Sequence, residues 1–82
     1  MKNIFWVVYD KKNNIIAISV NKIMAMEEAL KKSKYRWTLQ TFNTDWGYLI
    51  NDGYSIKKSV IIPQEEILIR SKINEAKTII QQ

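Results

Sequence analysis

The sequence has no cysteine and no histidine among its 82 residues. Without cysteine there is no disulfide and no thiolate nucleophile, and without histidine there is no imidazole base and no Cys/His set for zinc. Proline occurs once and glycine twice, too rarely for a flexible linker between two domains. We therefore expect a single compact domain over residues 1–82. Its stability should be marginal because it is short and has neither a disulfide nor a zinc site to stabilise it.

Long hydrophobic segments are missing too. The longest apolar run is Ile4–Tyr9, far shorter than the roughly 20 residues that span a bilayer, and no signal peptide is recognisable. Thirteen Lys and Arg against eight Asp and Glu give a net charge of +5. These features favour a cytoplasmic protein without a membrane partner. The lysine excess fits either a polyanionic partner or an AT-rich genome, and both explanations stay open.

Apolar residues make up 46% of the chain, which indicates a folded core and not a disordered segment. Residues Ile4–Tyr9 are all β-branched or aromatic, which is typical of a strand that is buried on both faces. The polar segment Asp10–Asn14 follows as a turn, and Ile15–Val20 resumes as a second strand. Two strands joined by so short a turn predict an antiparallel hairpin.

A helix is predicted next, over Lys22–Lys34. Asn21 is a favourable N-cap for it, and the lysines that close it suit the negative end of the helix dipole. Helical spacing places Ile23, Met26 and Leu30 on one stripe, which we expect to face the sheet.

The middle of the chain predicts further strands. Residues Arg36–Phe42 alternate between apolar and polar side chains, as in a strand with one solvated face, and Asn43–Gly47 follows as a loop. Tyr48–Ile50 and Tyr54–Ile62 then predict a second hairpin around the turn at 51–53, since Asp-Gly is a strong hairpin signal.

A second helix closes the chain. Pro63 suits its first turn, where a missing N–H costs nothing. The helix carries a wide apolar stripe formed by Ile69, Ile73, Ala76 and Ile80, with Leu68 and Ile79 beside it and Ile67 on the opposite face. The resulting order is β-β-α-β-β-β-α, which predicts an α+β fold with two helices packed on a small, mainly antiparallel sheet.

Catalytic groups are scarce. Asp10, Asp45 and Asp52 lie in predicted turns, where Asp usually hydrogen-bonds to its own backbone, and the glutamates are typical of exposed helix faces. A two-carboxylate hydrolase needs its pair fixed across a cleft, and a phosphate-binding loop needs a glycine-rich segment that this chain lacks. We therefore expect no enzyme activity, no catalytic residue, no metal, no cofactor and no small-molecule substrate.

Apolar surface exceeds what a domain this small can bury. If both predicted helices cover the same side of the sheet, one face of the Ile4–Tyr9 strand is left bare, and such patches usually mark an interface. Trp and Tyr occur most often at the centre of interfaces. We therefore predict a protein-binding surface, although Trp46 equally fits a capping role over the sheet. The partner is another protein or a second copy of this chain in a homodimer, and the predicted residues are Trp46, Tyr48, Ile67, Leu68 and Ile79.

An alternative is nucleic-acid binding. Basic residues that contact phosphate and aromatic rings that stack on bases occur together at Lys31–Trp37. The opposing interpretation is a solvated helix end whose aromatic side chains turn into the core, and the strand–helix–strand opening of RNA-recognition domains is absent. The residues of this alternative site are Lys31, Lys32, Lys34, Arg36, Lys57 and Lys58.

The short length, the missing catalytic groups and the spare apolar faces favour a non-enzymatic binding module. We expect a small regulator or inhibitor, such as an accessory protein of a phage or mobile element, that binds a host factor or another larger macromolecule by protein–protein contact. The runner-up is a small basic nucleic-acid-binding protein that uses the Lys31–Trp37 segment.

Overall fold

A computed structural model describes residues 3–35 and 38–81, with side chains up to Asn74. Within this part of the chain the fold is α+β, with a three-stranded antiparallel sheet and three helices. The sheet order is β2-β1-β3, so the first strand lies in the centre. The elements in chain order are β1 (Asn3–Tyr9), β2 (Ile15–Ser19), α1 (Lys22–Lys31), α2 (Phe42–Asn51), β3 (Ser55–Ile61) and α3 (Pro63–Gln81).

The predicted first hairpin is confirmed. Strands β1 and β2 pair antiparallel, with Val7 opposite Ile18 and Val8 opposite Ala17. Asn13 adopts a positive φ of 65° in the turn, a conformation that Asn tolerates better than most residues. The polar segment between the strands therefore supplies the backbone geometry that the hairpin needs.

Helix α1 begins where the sequence predicts. The Oδ1 atom of Asn21 accepts a hydrogen bond of 3.2 Å from the Met24 N–H, which is the expected N-cap. Met26 and Leu30 are buried as predicted, but Ile23 is exposed. The inward stripe includes Ala25 and Ala29, whose small side chains let the helix approach the sheet closely, and this rotates Ile23 to the edge of the contact.

The helix is also shorter than predicted. It ends at Lys31 instead of Lys34. The Ser33 Oγ atom donates a hydrogen bond of 2.7 Å to the Leu30 carbonyl, and the Ser33 N–H donates one of 3.1 Å to the same oxygen. Serine thus satisfies a carbonyl at the helix end and turns the chain away.

The prediction for the middle of the chain is wrong. Residues predicted as the strand Arg36–Phe42, the loop Asn43–Gly47 and the strand Tyr48–Ile50 instead form a turn at 38–41 followed by α2, with 36–37 outside the described residues. Leu39, on the expected inner face of the strand, is 88% exposed. The residues that contact the core have helical spacing: Phe42, Trp46 and Leu49.

The turn at 51–53 forms, but it does not join two strands. It ends α2, with Asp52 as C-cap and Gly53 at a φ of +100°. The Gly53 N–H donates to the Ile50 carbonyl and the Tyr54 N–H to the Leu49 carbonyl, both at 3.0 Å, which is the Schellman arrangement. Glycine at a left-handed position is thus required, but by a helix end and not by a hairpin.

Strand β3 confirms the predicted Tyr54–Ile62 strand to within a residue at each end, and its partner is β1. Pro63 begins α3 as predicted. The observed order is therefore β-β-α-α-β-α, and two of the five predicted strands are helix or turn.

Helices cover both faces of the sheet. On one face, Val8 and Ala17 pack with Ala25 and Leu30 of α1 and with Leu49 of α2. On the other face, a second cluster forms from Phe5, Val7, Ile18 and Ile61, against which Ile69 and Ile73 of α3 pack. The burial of β1 on both faces is therefore confirmed, and its second face is covered by α3 instead of lying bare. The side chains of Ala76, Ile79 and Ile80 lie outside the described residues.

Candidate functional site

Trp46 and Tyr48, predicted as interface residues, both lie on α2. Trp46 is half-buried and packs against the core cluster that contains Val8. This is the capping role that the sequence left open. Tyr48 is exposed, and its ring lies 5.4 Å from that of Tyr35 between centroids. Residues two positions apart on a helix do not share a face, so Trp46 and Tyr48 do not form one surface.

Ile67 and Leu68 are both exposed on α3. They follow Glu66, which is ion-paired with Arg70 at 2.8 Å, and they lie away from Ile69, which faces the sheet. Ile79, the third predicted residue of this helix, has its side chain outside the described part.

The described lysines of the nucleic-acid alternative are distributed over several parts of the surface. Lys31 borders a recess together with Glu27 and Glu28, whereas Lys32 and Lys34 border a separate cleft. Lys57 and Lys58 point to opposite faces of the sheet, as neighbours on a strand must: the Nζ atom of Lys57 lies 5.7 Å from the Tyr9 ring and that of Lys58 lies 5.3 Å from the Trp6 ring. Arg36 lies outside the described residues.

One end of the sheet exposes an apolar surface that sequence reasoning identified only in part. Ile4 on β1 lies directly opposite Val60 on β3, and they are 55% and 61% exposed. Ile4 and Val60 lie on the same face of the sheet as Val8. Helices α1 and α2 cover this face at Val8 but leave it exposed at Ile4 and Val60. We call this surface the corner patch; it consists of Ile4, Trp6, Lys22, Lys58 and Val60.

The centre of the corner patch is a tryptophan ring with two cations close to it. The Nζ atoms of Lys22 and Lys58 lie 5.2 Å and 5.3 Å from the centroid of the half-buried Trp6 ring. At these distances both ammonium groups interact favourably with the ring. In the sequence, the indication of this surface is the apolar first strand, which contains Ile4 and Trp6. Val60 can be assigned to the surface only once the pairing of β1 with β3 is known.

The second surface is concave and lies at the opposite end of the first hairpin. It is an open cleft of about 610 Å³ between the β1–β2 turn, the segment that follows α1 and the turn that follows α2. We call it the basic cleft; it is lined by Asp10, Lys11, Lys12, Asn14, Lys32, Ser33, Lys34, Tyr35, Leu49, Asp52 and Tyr54. Lys11 and Lys12 were not among the predicted site residues, because they are distant in sequence from Lys32 and Lys34.

The two carboxylates of the basic cleft are already engaged. Asp10 accepts hydrogen bonds from the backbone N–H groups of Lys12 and Asn14 at 2.8 Å and 2.9 Å, and from the Asn14 side chain at 3.2 Å. Asp52 accepts one of 2.7 Å from the Tyr35 hydroxyl, and this bond, with burial and the charge of Asp52, raises the pKa of Tyr35. Lys11, Lys12 and Lys34 are therefore the charged side chains of the cleft that are available to a ligand.

The Asp10 carboxylate also gives the fold a pH dependence. Burial by itself would raise its pKa, but the hydrogen bonds from Asn14 and Lys12 and the charge of Lys12 outweigh burial, so the pKa of Asp10 lies below its ordinary value. A carboxylate with a lowered pKa stabilises the fold above the unfolded pKa of about 3.9, and this contribution is lost as the pH falls through the folded-state pKa.

We expect the free energy of unfolding to fall less steeply below pH 4 in Asp10→Asn than in the unmodified chain, as measured by urea denaturation at several pH values. The asparagine keeps an oxygen for the turn's N–H groups but does not titrate. Parallel pH profiles of the two proteins would contradict the role assigned to Asp10.

Asp45 stands apart from both surfaces. It lies in the first turn of α2 and is buried, not in the predicted loop, and its Oδ2 atom has no hydrogen-bond partner among the described residues. No group of three or more His, Cys, Asp or Glu residues that could hold a metal occurs in the described part of the chain. Within the same part, none of the helices combines the length and the apolar character needed to cross a membrane.

No protein-family model matches this chain, and neither a curated protein nor a solved structure matches it. The geometry of the corner patch and the basic cleft is therefore the ground for a functional proposal.

Proposed function

We propose that this chain is a non-enzymatic binding module, a regulator or inhibitor of the phage or mobile-element type, that acts by contact with a larger protein. The observation that carries the proposal is the corner patch, where the cross-strand pair of Ile4 and Val60 is exposed beside a half-buried Trp6. An aromatic anchor next to exposed aliphatic side chains is the usual composition of an interface centre.

The charges around the corner patch indicate the chemistry of the partner. Lys22 and Lys58 both lie close to the Trp6 ring, and the chain as a whole carries a net charge of +5. A complementary surface presents an apolar centre bordered by Asp or Glu. Acidic groups there would pair with the two lysines while aliphatic side chains cover Ile4 and Val60.

A second copy of the chain is a poor occupant of the corner patch. A two-fold symmetric dimer brings each patch against itself. The two lysines of one patch would then lie close to the two lysines of the other, and like charges across an interface cost binding energy. The proposed partner is therefore a different protein, with the homodimer as a competing outcome that size-exclusion chromatography tests directly.

Nucleic-acid binding has less support in the form predicted from the sequence. Its lysines are divided between two recesses and two sheet faces, so a strand that contacts Lys32 and Lys34 does not also reach Lys57 and Lys58 on one surface. A polyanion that binds here would use the basic cleft, together with lysines from the first hairpin.

The proposal is tested by capturing partners from lysate of the native cell with and without nuclease treatment, and then measuring the affinity of the purified partner for matched variants. We expect Ile4→Glu combined with Val60→Glu to weaken binding at least tenfold, because an acidic pair replaces the apolar centre. The control is Leu39→Glu, an equally drastic change at a side chain that is 88% exposed in the turn before α2. It should alter the affinity by less than about twofold.

A third variant, Ile67→Glu combined with Leu68→Glu, tests the surface on α3 that the sequence predicts. Loss of binding in this variant alone would place the contact on α3 and contradict the corner patch. Full binding by both double variants, or capture that depends on nucleic acid, would overturn the proposal of a protein contact at either surface.

A further inference from the structure

The basic cleft has the dimensions of a ligand site. Its volume of about 610 Å³ falls within the range of roughly 300–1,000 Å³ found for small-molecule pockets. Tyr35 and Tyr54 provide aromatic surface, and three separate segments of the chain provide polar groups. The cleft is therefore large enough for an organic ligand and not only for a single ion.

The charge of the basic cleft favours an anion. Four lysines face two aspartates, which leaves two uncompensated positive charges in the lining. Both aspartates already accept hydrogen bonds from within the fold. Lys11, Lys12 and Lys34 form no ion pair with any of the described residues. Their ammonium groups have three donors each and suit phosphate oxygens.

Several contacts hold the walls of the basic cleft in place. The Lys32 Nζ atom donates a hydrogen bond of 2.5 Å to the Ile16 carbonyl, which ties the end of α1 to β2. Lys34 lies over the Tyr35 ring at 5.4 Å from its centroid, and Tyr35 in turn binds Asp52. The lysines therefore extend from fixed backbone segments, which lowers the entropic cost of binding.

The helix dipole accounts for the position of only two of the four lysines in the basic cleft. Lys32 and Lys34 follow the C-terminus of α1, where a positive charge is favourable without any ligand. Lys11 and Lys12 belong to a hairpin turn that follows no helix, yet they line the same cleft. The convergence of lysines from both sources is the feature that helix stability does not account for.

From this convergence we infer that the basic cleft binds a ligand through two or more phosphate groups, with the lysines of the hairpin and those of the α1 end contacting different phosphates. This site is separate from the corner patch, and it can be present whether or not that patch binds a protein. The phosphates can belong to a free nucleotide or to a nucleic-acid strand, since both present the same oxygens.

The test is isothermal titration of the full chain at low salt with three probes: inorganic tripolyphosphate, ATP and a short single-stranded oligonucleotide with a 5′-phosphate. We expect saturable binding of tripolyphosphate and ATP with one site per chain. Lys12→Glu combined with Lys34→Glu should lower the affinity for both at least tenfold. The matched control is Lys57→Glu combined with Lys72→Glu, which changes the net charge equally and should lower the affinity less than about threefold.

The outcomes separate the possible explanations. Equal losses in the two double variants would show attraction by net charge alone and would overturn the inference, as would the absence of saturable binding by every probe. Tighter binding of the oligonucleotide than of ATP through the same lysines identifies a strand as the source of the phosphates, and the reverse identifies a free nucleotide. Circular dichroism of each variant verifies that binding is lost from a folded protein.

Discussion

Replacing Leu49 with alanine is expected to lower the free energy of unfolding by about 2–5 kcal/mol. Leu49 is 1% exposed and packs against Val8 and Leu30, so it joins α2 to the sheet and to α1. The lost side chain removes apolar burial and leaves a cavity that a well-packed core fills only in part. A single core of this size supplies at most about 3–5 kcal/mol, so the variant should lose much of its stability and unfold at a far lower urea concentration than the unmodified chain.

Ile50→Ala is the matched control. Ile50 is the next residue along the same helix but is 44% exposed, so its truncation should cost less than about 1 kcal/mol. Urea denaturation followed by tryptophan fluorescence measures both values. If the Ile50 variant were the less stable of the two, α2 would not dock through the face that carries Leu49.

Gly53→Ala is expected to destabilise the fold by about 1–3 kcal/mol. Gly53 has a φ of +100°, which L side chains rarely adopt, and an added Cβ atom would lie 2.8 Å from the Lys11 Cβ. The substitution therefore strains the end of α2 and also pushes away the hairpin turn that borders the basic cleft. Because Lys11 contributes its Cβ and not a flexible tip, the backbone must move to relieve the clash.

The control for this prediction is Gly47→Ala, in the interior of α2. An added Cβ atom there has no neighbour within 4 Å. Alanine in a helix interior is favoured over glycine by about 0.5–1 kcal/mol, so thermal unfolding should occur at a higher temperature. The loop that the sequence predicts at 43–47 would give no such gain. A Gly53 variant as stable as the unmodified chain would contradict the close approach to Lys11.

The parts of the fold that were predicted correctly depend on neighbours in the sequence. The hairpin of β1 and β2 follows from two apolar runs around a polar turn, and α1 and α3 follow from a capping residue, Asn21, and a starting proline, Pro63. Each of these signals acts within a few residues, so no knowledge of the tertiary fold is needed to interpret it.

The parts that were not predicted depend on tertiary contacts. An Asp-Gly pair suits a hairpin and a helix end equally, because both need a left-handed glycine, and only the docking of Leu49 and Tyr54 decides between them. The two candidate sites also depend on tertiary contacts. Val60 joins Ile4 through the register of β3 on β1, and Lys12 meets Lys34 through the approach of a hairpin to a helix end.

The claim that the corner patch binds a protein is tested most directly by isoleucine-methyl NMR of the full chain with its purified partner. Among the 14 isoleucines, Ile4 reports on the corner patch and Ile67 on the outer face of α3. We expect the Ile4 methyl signal to shift or broaden on addition of the partner while the Ile67 signal stays in place. Movement of Ile67 with an unchanged Ile4 signal, or no change in either signal at saturation, would contradict a contact at the corner patch.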